Sequence, residues 1–337
     1  MLKLFERRRQ GTAAVSGPTA TESVLNASTR VTLQELIELQ RHARLLDITH
    51  RLPARAQLAG NHQSRFRGRG MDYLESRGYQ PGDDIRNMDW RVTARAGRPH
   101  TKLFQEERER PVVLLIDLGP SMFFATRGAL KSVIAARSAT LLAWAAAISG
   151  DRTGALLFNG GHVELRPRSG HRGALQLIHE LIRLSDPVHG LTTGPGHAGL
   201  NDALVRLRRI ARPGSLVIMI SDFYGIDDET GGHLAKLRYH NDLVAIRVTD
   251  PVELTPPPPG RYEITNGKQA AVLDITAARG RSVYNDFFSR QHQLVQQTLQ
   301  RNAIPLLQLS TTDEPVQALQ QWFGKARRPV QAKGGVE

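Results

Sequence analysis

Short, uninterrupted apolar runs that alternate with helical patterns constrain this chain more than any other feature. Val112-Val113-Leu114-Leu115-Ile116 is followed directly by Asp117, and Leu216-Val217-Ile218-Met219-Ile220 directly by Ser221-Asp222. Gly154 to Phe158, Leu243 to Val248 and Ile304 to Leu309 are of the same kind. A strand whose apolar residues do not alternate with polar ones is covered on both faces, the condition of a strand inside a parallel sheet. Between the runs lie an Ala-rich helical stretch from Arg127 to Ser149 and amphipathic patterns over Gly173 to Leu184 and Leu200 to Ile210. Further helical segments cover Thr230 to Tyr239, Val283 to Gln300 and Pro315 to Phe323. His162-Val163-Glu164-Leu165 alternates after the turn residues Gly160-Gly161, which predicts a hairpin with the preceding strand. Ala271 to Ile275 reads as one more short strand, after a stiff loop at Pro256 to Pro259. This alternation predicts an α/β domain, a mostly parallel sheet with helices on both faces.

The texture upstream is different. Residues 1–30 are polar and aperiodic and read as a flexible tail. A helix is expected from Leu33 to about Asp47, with Thr32 as its cap and Glu35 at capping-box spacing. Residues 50–110 show no clean period, and so long an irregular stretch is more often functional than ordinary. The expected organisation is a tail (1–30), a helix with a smaller irregular, β-containing subdomain (31–110), the α/β domain (111–324) and a basic tail (325–337). Cysteine is absent, which excludes disulfides, thiolate zinc sites, iron–sulfur clusters and a cysteine nucleophile, and fits a reducing, cytoplasmic setting. No apolar run follows the basic N-terminal residues, and Ala139 to Ile148 falls short of the ~20 residues that cross a bilayer, so a soluble protein is expected. The net charge of +13 invites a nucleic-acid reading. Its placement argues for solvated surface instead: Arg7, Arg8 and Arg9 open the chain, Lys325, Arg327 and Arg328 close it, and elsewhere arginines interleave with acids.

In open parallel sheets, ligands bind beyond the carboxyl ends of the strands. Asp117 and Asp222 both stand there, the first within Asp117-Leu118-Gly119-Pro120-Ser121, and Gly190-Leu191-Thr192-Thr193-Gly194 lies between them in sequence. Carboxylates with Ser and Thr hydroxyls form a hard oxygen set suited to Mg2+. The same acids also suit helix caps, and the residues alone leave both readings open. No G-x-x-x-x-G-K-[ST], G-x-S-x-G or H-E-x-x-H motif is present, so no catalytic residue is assigned.

The ordered set resembles the von Willebrand factor A domain. Its metal-ion-dependent adhesion site is an Asp-x-Ser-x-Ser strand end, a Thr on a middle loop and an Asp on a later strand. The resemblance implies Asp117, Ser121, Thr192 and Asp222 as ligands of Mg2+, with Mn2+ or Ca2+ as alternatives; Thr192 fits slightly better than Thr193. Gly119 stands in place of the first serine, which removes one hydroxyl ligand. A stronger resemblance lies upstream. Tyr79-Gln80-Pro81-Gly82-Asp83-Asp84-Ile85-Arg86-Asn87-Met88-Asp89-Trp90, followed by Thr93-Ala94-Arg95, is similar to the P-G-D-D-x-R-x-I-D-W signature of the bacterial domain-of-unknown-function 58 family, which precedes a von Willebrand A-like domain. Arg65 to Gly70 and Asp72-Tyr73 also fit, and the resemblance spans roughly residues 35–250. Many relatives carry N-terminal membrane helices, which this sequence does not show.

Asp83, Asp84 and Asp89, with Arg86, Arg91 and Arg95 nearby, could form a catalytic or metal-binding cluster. A structural network of Asp–Arg pairs and backbone bonds is favoured, because no nucleophile or paired base accompanies the acids. Pro81-Gly82 suits a turn, and Trp90 an anchor in a pocket. The family resemblance implies a non-enzymatic protein-interaction module. It would partner a MoxR-type AAA+ ATPase in chaperone-like assembly or maturation of a client protein, and take an acidic ligand through bound Mg2+. Two alternatives stay open: a Mg2+-dependent phosphoesterase or nuclease, and a basic nucleic-acid-binding protein. The first lacks an evident general base, and the scarcity of aromatics, 6%, argues against a stacking surface for single strands.

Overall fold

The computed structural model describes residues 27–48, 71–81, 83–106, 110–190, 199–265 and 270–324. The chain divides into two compact units, Ala54–Glu109 and the remainder, Met1–Pro53 with Arg110–Glu337. Most of the two expected tails, and Thr192 and Thr193, lie outside the described residues.

The N-terminal helix forms in two pieces, α1 (Leu33–Glu38) and α2 (Gln40–Ala43), joined at Leu39. Thr32 caps α1 as expected, its hydroxyl accepting from Glu35 N at 3.3 Å. Glu35 does not close the capping box; its carboxylate pairs with Arg137 at 2.5 Å. Leu36 and Ala43 are fully buried, and Trp144 Nε1 donates to the Leu36 carbonyl at 3.0 Å. These helices therefore belong to the larger unit. Grouping them with the signature subdomain over 31–110 is corrected, because their apolar face is satisfied by the Ala-rich helix that follows in that unit.

In the smaller unit, β1 (Met71–Gly78) pairs antiparallel with β2 (His100–Glu106). Between them lie a 3-10 turn, Ile85–Asn87, and α3 (Trp90–Ala96). The segment shows no period in sequence because a two-stranded ribbon has no second sheet neighbour to demand one.

The larger unit continues with β3 (Pro111–Asp117), α4 (Lys131–Ile148), β4 (Arg152–Phe158), β5 (His162–Ser169), α5 (His171–Leu184), α6 (Pro187–Gly190), α7 (Leu200–Ile210) and β6 (Leu216–Ser221). Then come α8 (Asp228–His240), β7 (Asp242–Thr249), α9 (Pro251–Leu254), β8 (Arg261–Thr265), β9 (Ala270–Asp274), α10 (Ala278–Arg301), β10 (Leu306–Ser310) and α11 (Pro315–Phe323). The sheet order is β10-β7-β6-β3-β4-β5, parallel except for β5, which returns antiparallel along β4 as the hairpin expected there. This is the expected α/β arrangement, a mostly parallel sheet with helices on both faces. Successive β3 residues feed opposite cores. Val112, Leu114 and Ile116 pack with α1, α4, α5 and α11, while Val113 and Leu115 pack with α7, α8 and α10. β9, read from the sequence as a short strand, pairs with β8 in a separate hairpin.

Helix α4 is long and apolar enough by composition to cross a membrane, yet 89% of it is buried inside the unit. It is apolar all round because protein, not solvent, covers every face. The one charged side chain at its head, Lys131, is also buried, at 1% exposure.

Candidate functional site

β3 and β6 are neighbours in the sheet, so their carboxyl ends bring Asp117 and Ser221-Asp222 together. Asp117 Oδ2 accepts from Ser221 Oγ at 2.6 Å, and Oδ1 accepts from Gly119 N at 2.8 Å. Asp222 Oδ1 accepts from Tyr224 N at 3.0 Å, and Oδ2 from the ammonium of Lys131 at 3.2 Å. The same ammonium donates to Glu253 Oε1 on α9. The chain turns hard after β6: Phe223 is buried with φ of 57°, a conformation that costs a bulky residue energy. That turn is held by Ser221 Oγ, which accepts from Phe223 N at 2.8 Å, and by Gln291 Nε2, which donates to the Phe223 carbonyl at 3.0 Å.

A third buried acid stands at the end of the neighbouring strand β7. Asp250, fully buried at the end of β7, accepts from Thr126 N at 2.7 Å, Thr126 Oγ1 at 2.5 Å, Thr311 Oγ1 at 2.9 Å and Val252 N at 3.1 Å. It thus ties the loop before α4 and the loop after β10 to α9, which it caps. Glu253 Oε2 returns the bond to Asp250 N at 3.0 Å. On β7, Arg247 NH1 lies 2.9 Å from His292 Nδ1; a guanidinium only donates, so the ring accepts there.

Of the four ligands expected from the resemblance, the structure brings Asp117 and Asp222 together. Ser121 sits half-buried in the 3-10 turn Pro120–Met122, with no hydrogen bond to either acid, and Thr192 lies outside the described residues. Mg2+ demands near-octahedral oxygen ligation at about 2.1 Å. The described donor set does not fit it. Asp222 Oδ2 already accepts from the Lys131 ammonium, a cation that would repel a metal ion bound to the same carboxylate. Among the described residues no group of three or more His or carboxylate side chains is arranged to hold a metal.

Lys131, Asp250 and Glu253 were not singled out from the sequence. A signal existed for two of them. Asp250-Pro251-Val252-Glu253 follows an apolar strand and carries the cap acid, the proline and the returning Glu of a capping box. For Lys131 the only signal is a lone charge at the head of an Ala-rich helix.

Burial pushes the Asp117 carboxyl up to about 7, and the neighbouring charge of Asp222 adds to the rise. Burial works against the Lys131 ammonium, but the charges of Asp222 and Glu253 outweigh it and hold its pKa above the ordinary lysine value. The Asp117 shift has a consequence for stability. Unfolded, the group ionises near ~3.9. Its contribution is therefore present in full below about pH 4 and is lost as pH rises through about 7. Asp117→Asn preserves the shape and removes the titration. Melting temperatures of both proteins at pH 5 and pH 8 should show a flatter dependence in the variant; an unchanged slope would refute the shift.

In the smaller unit the signature acids act on backbone. Asp89 is buried and caps α3, its Oδ1 accepting from Arg91 N and Val92 N at 3.1 Å each, and its Oδ2 accepts from Ser76 Oγ at 2.7 Å. These bonds, that of Ser76 foremost, hold its pKa below the ordinary value. Asp84 caps the 3-10 turn through Arg86 N at 3.0 Å. Asp83 accepts from Gln80 N at 2.9 Å and pairs with Arg77 at 2.8 Å. The favoured network reading needs one correction. Arg86, Arg91 and Arg95 are exposed, and the acid's partner is Arg77 on β1, because the 3-10 turn brings Asp83 back against that strand. Trp90, expected to be an anchor in a pocket, is 68% exposed, since as the first residue of α3 it projects from the capped end.

A groove of about 840 Å3 lies elsewhere, beside edge strand β10 between Gln296, Gln308, Gln317 and Trp322, and shares no residue with the strand-end set.

Comparison with known proteins gives three findings. The family described as "Protein of unknown function DUF58" matches residues 75–294. Uncharacterized protein Rv1480 of Mycobacterium tuberculosis is 28% identical over 290 residues, 85% of this chain and 89% of that protein. Among solved structures, BatB from Bacteroides thetaiotaomicron aligns with 63% of this chain and 96% of its own at 12% identity and TM-score 0.39. An aerotolerance-related membrane protein from Bacteroides fragilis aligns with 64% and 98% at 11% identity and TM-score 0.41. A von Willebrand factor type A protein from Catenulispora acidiphila covers 44% and 35% at 14% identity and TM-score 0.30.

Proposed function

The chain belongs to the DUF58 family, proteins of unknown function, and from that premise we propose that it is a non-enzymatic von Willebrand factor A-like interaction module. The observation that carries this reading is the state of the strand-end acids. Asp117, Asp222, Asp250 and Glu253 are each held by hydrogen bonds to backbone, hydroxyl or ammonium. A general base or nucleophile must reach its substrate, and these side chains are buried or nearly so. Acids held in place by hydrogen bonds and by one ammonium serve to set a surface.

Beside the site, Tyr224 and Phe287 meet with ring centroids 6.0 Å apart, and both are nearly half exposed. Val283 lies four residues before Phe287 on the same face of α10 and is 62% exposed. Exposed aromatic and aliphatic side chains grouped in this way are what protein partners bury. The partner is a MoxR-type AAA+ ATPase, acting with this chain on a client protein in assembly or maturation; that identity rests on the family resemblance. In a pull-down from the native lysate with Mg2+ and ATP present throughout, the wild-type chain is expected to recover the ATPase. Phe287→Glu should lower recovery roughly tenfold, as loss of a central aromatic anchor does. Absence of any AAA+ ATPase removes the partner; equal recovery by the variant removes this face.

A further inference from the structure

We propose that the Lys131 ammonium is the built-in cation of the strand-end site, standing where an adhesion domain of this fold holds a divalent metal ion, so that the site is complete without metal. This inference is independent of the partner reading. Lys131 opens α4, and a helix N-terminus carries partial positive charge, so a cation there is disfavoured unless acids offset it. The first turn of α4 holds no acid. The offset comes from two other elements, Asp222 after β6 and Glu253 on α9, both bonded to the ammonium. A lysine with no such purpose would turn its charge to water along its flexible stem. This one is 1% exposed.

Two further observations point the same way. At Gly119, where the metal site would have a serine, an added Cβ would stand 3.1 Å from Asp117 Oδ1, closer than such atoms ordinarily approach. Gly119 instead meets that carboxylate through its backbone N–H at 2.8 Å. The second is charge. A dication beside Asp222 would sit against a fixed ammonium 3.2 Å from the same carboxylate and would be repelled by it. The functional consequence is direct. A bound metal offers an open coordination position to an incoming carboxylate, whereas an ammonium engaged by two acids does not, and no chelator removes it.

The test titrates MgCl2 and MnCl2 into the full-length wild-type chain by calorimetry, with melting temperatures read in EDTA and in excess metal. The expected result is no stoichiometric binding and an unchanged melting temperature. One-site binding abolished by Asp222→Asn would overturn the proposal. Lys131→Ala supplies the converse. With the ammonium gone, Mn2+ should bind and raise the variant's melting temperature by several degrees, as a ligand specific to the folded state must. A folded Lys131→Ala chain indifferent to Mn2+ would also overturn the proposal. Should that variant not fold in either condition, the wild-type titration alone decides.

Discussion

Lys131→Met should cost about 3–5 kcal/mol of stability at neutral pH, the range expected when one partner of a buried ion pair is removed and the other charge stays behind. Methionine nearly matches the lysine stem in volume, so the loss is electrostatic. The Asp222 side chain is 3% exposed and that of Glu253 12%, so Asp222 above all cannot recover its hydration by a small movement. Each can escape by taking up a proton. The deficit should therefore shrink at pH 5 and grow toward pH 8, because the folded-state carboxyl pKa values in the variant rise above their unfolded values and stability is lost as pH passes through them. Adding Asp222→Asn to Lys131→Met should recover more than half of the loss, which a double-mutant cycle in urea measures. A variant as stable as wild type at pH 8 would show that the ammonium is not paired in the way described.

Asp250→Ala is the second large effect, about 3–4 kcal/mol. A hydrogen bond to a charged group is worth ~1.5–3 kcal/mol, and several donors would be stranded at once. Thr126 N, Thr126 Oγ1, Thr311 Oγ1 and Val252 N all converge on this one carboxylate, which water does not reach. Asp250→Asn should cost less than alanine but more than zero, because the amide keeps one acceptor and presents N–H groups to donors on the other side. Equilibrium unfolding of the three proteins gives the order. Hydrogen exchange should show α9 and the segment around Thr126 opening first in the alanine variant. Equal stability of alanine variant and wild type would mean that the four bonds are not made in solution.

Much of the α/β domain was legible because its strands are buried on both faces. Runs such as Val112 to Ile116 and Leu216 to Ile220 admit few other readings, and the residues that end them had to lie at one edge of a parallel sheet. Asp117 and Asp222 were found for that reason. The β1–β2 ribbon was legible only as a β-containing subdomain, with Lys102 to Phe104 strand-like, since a two-stranded ribbon imposes little apolar period. β9 was read as a short strand, but its partner β8 was missed, because their hairpin stands outside the main sheet. The capping acids Asp84 and Asp89 were visible as acids, but a sequence does not say whether a carboxylate meets an arginine or the backbone two residues on.

What the sequence determined by itself was the order of buried strands and helices, the edge of the sheet where a site lies, and the two acids at its centre, because these follow from local periodicity and chain direction. What the tertiary structure alone decided was the charge state of that centre. Lys131 and Glu253 are 122 residues apart in sequence, and Lys131 and Asp222 are 91 apart. No local pattern links them. Only the folding of α4 and α9 against the ends of β6 and β7 sets one ammonium among those acids, and Coulomb's law depends on that distance in space, not on spacing along the chain.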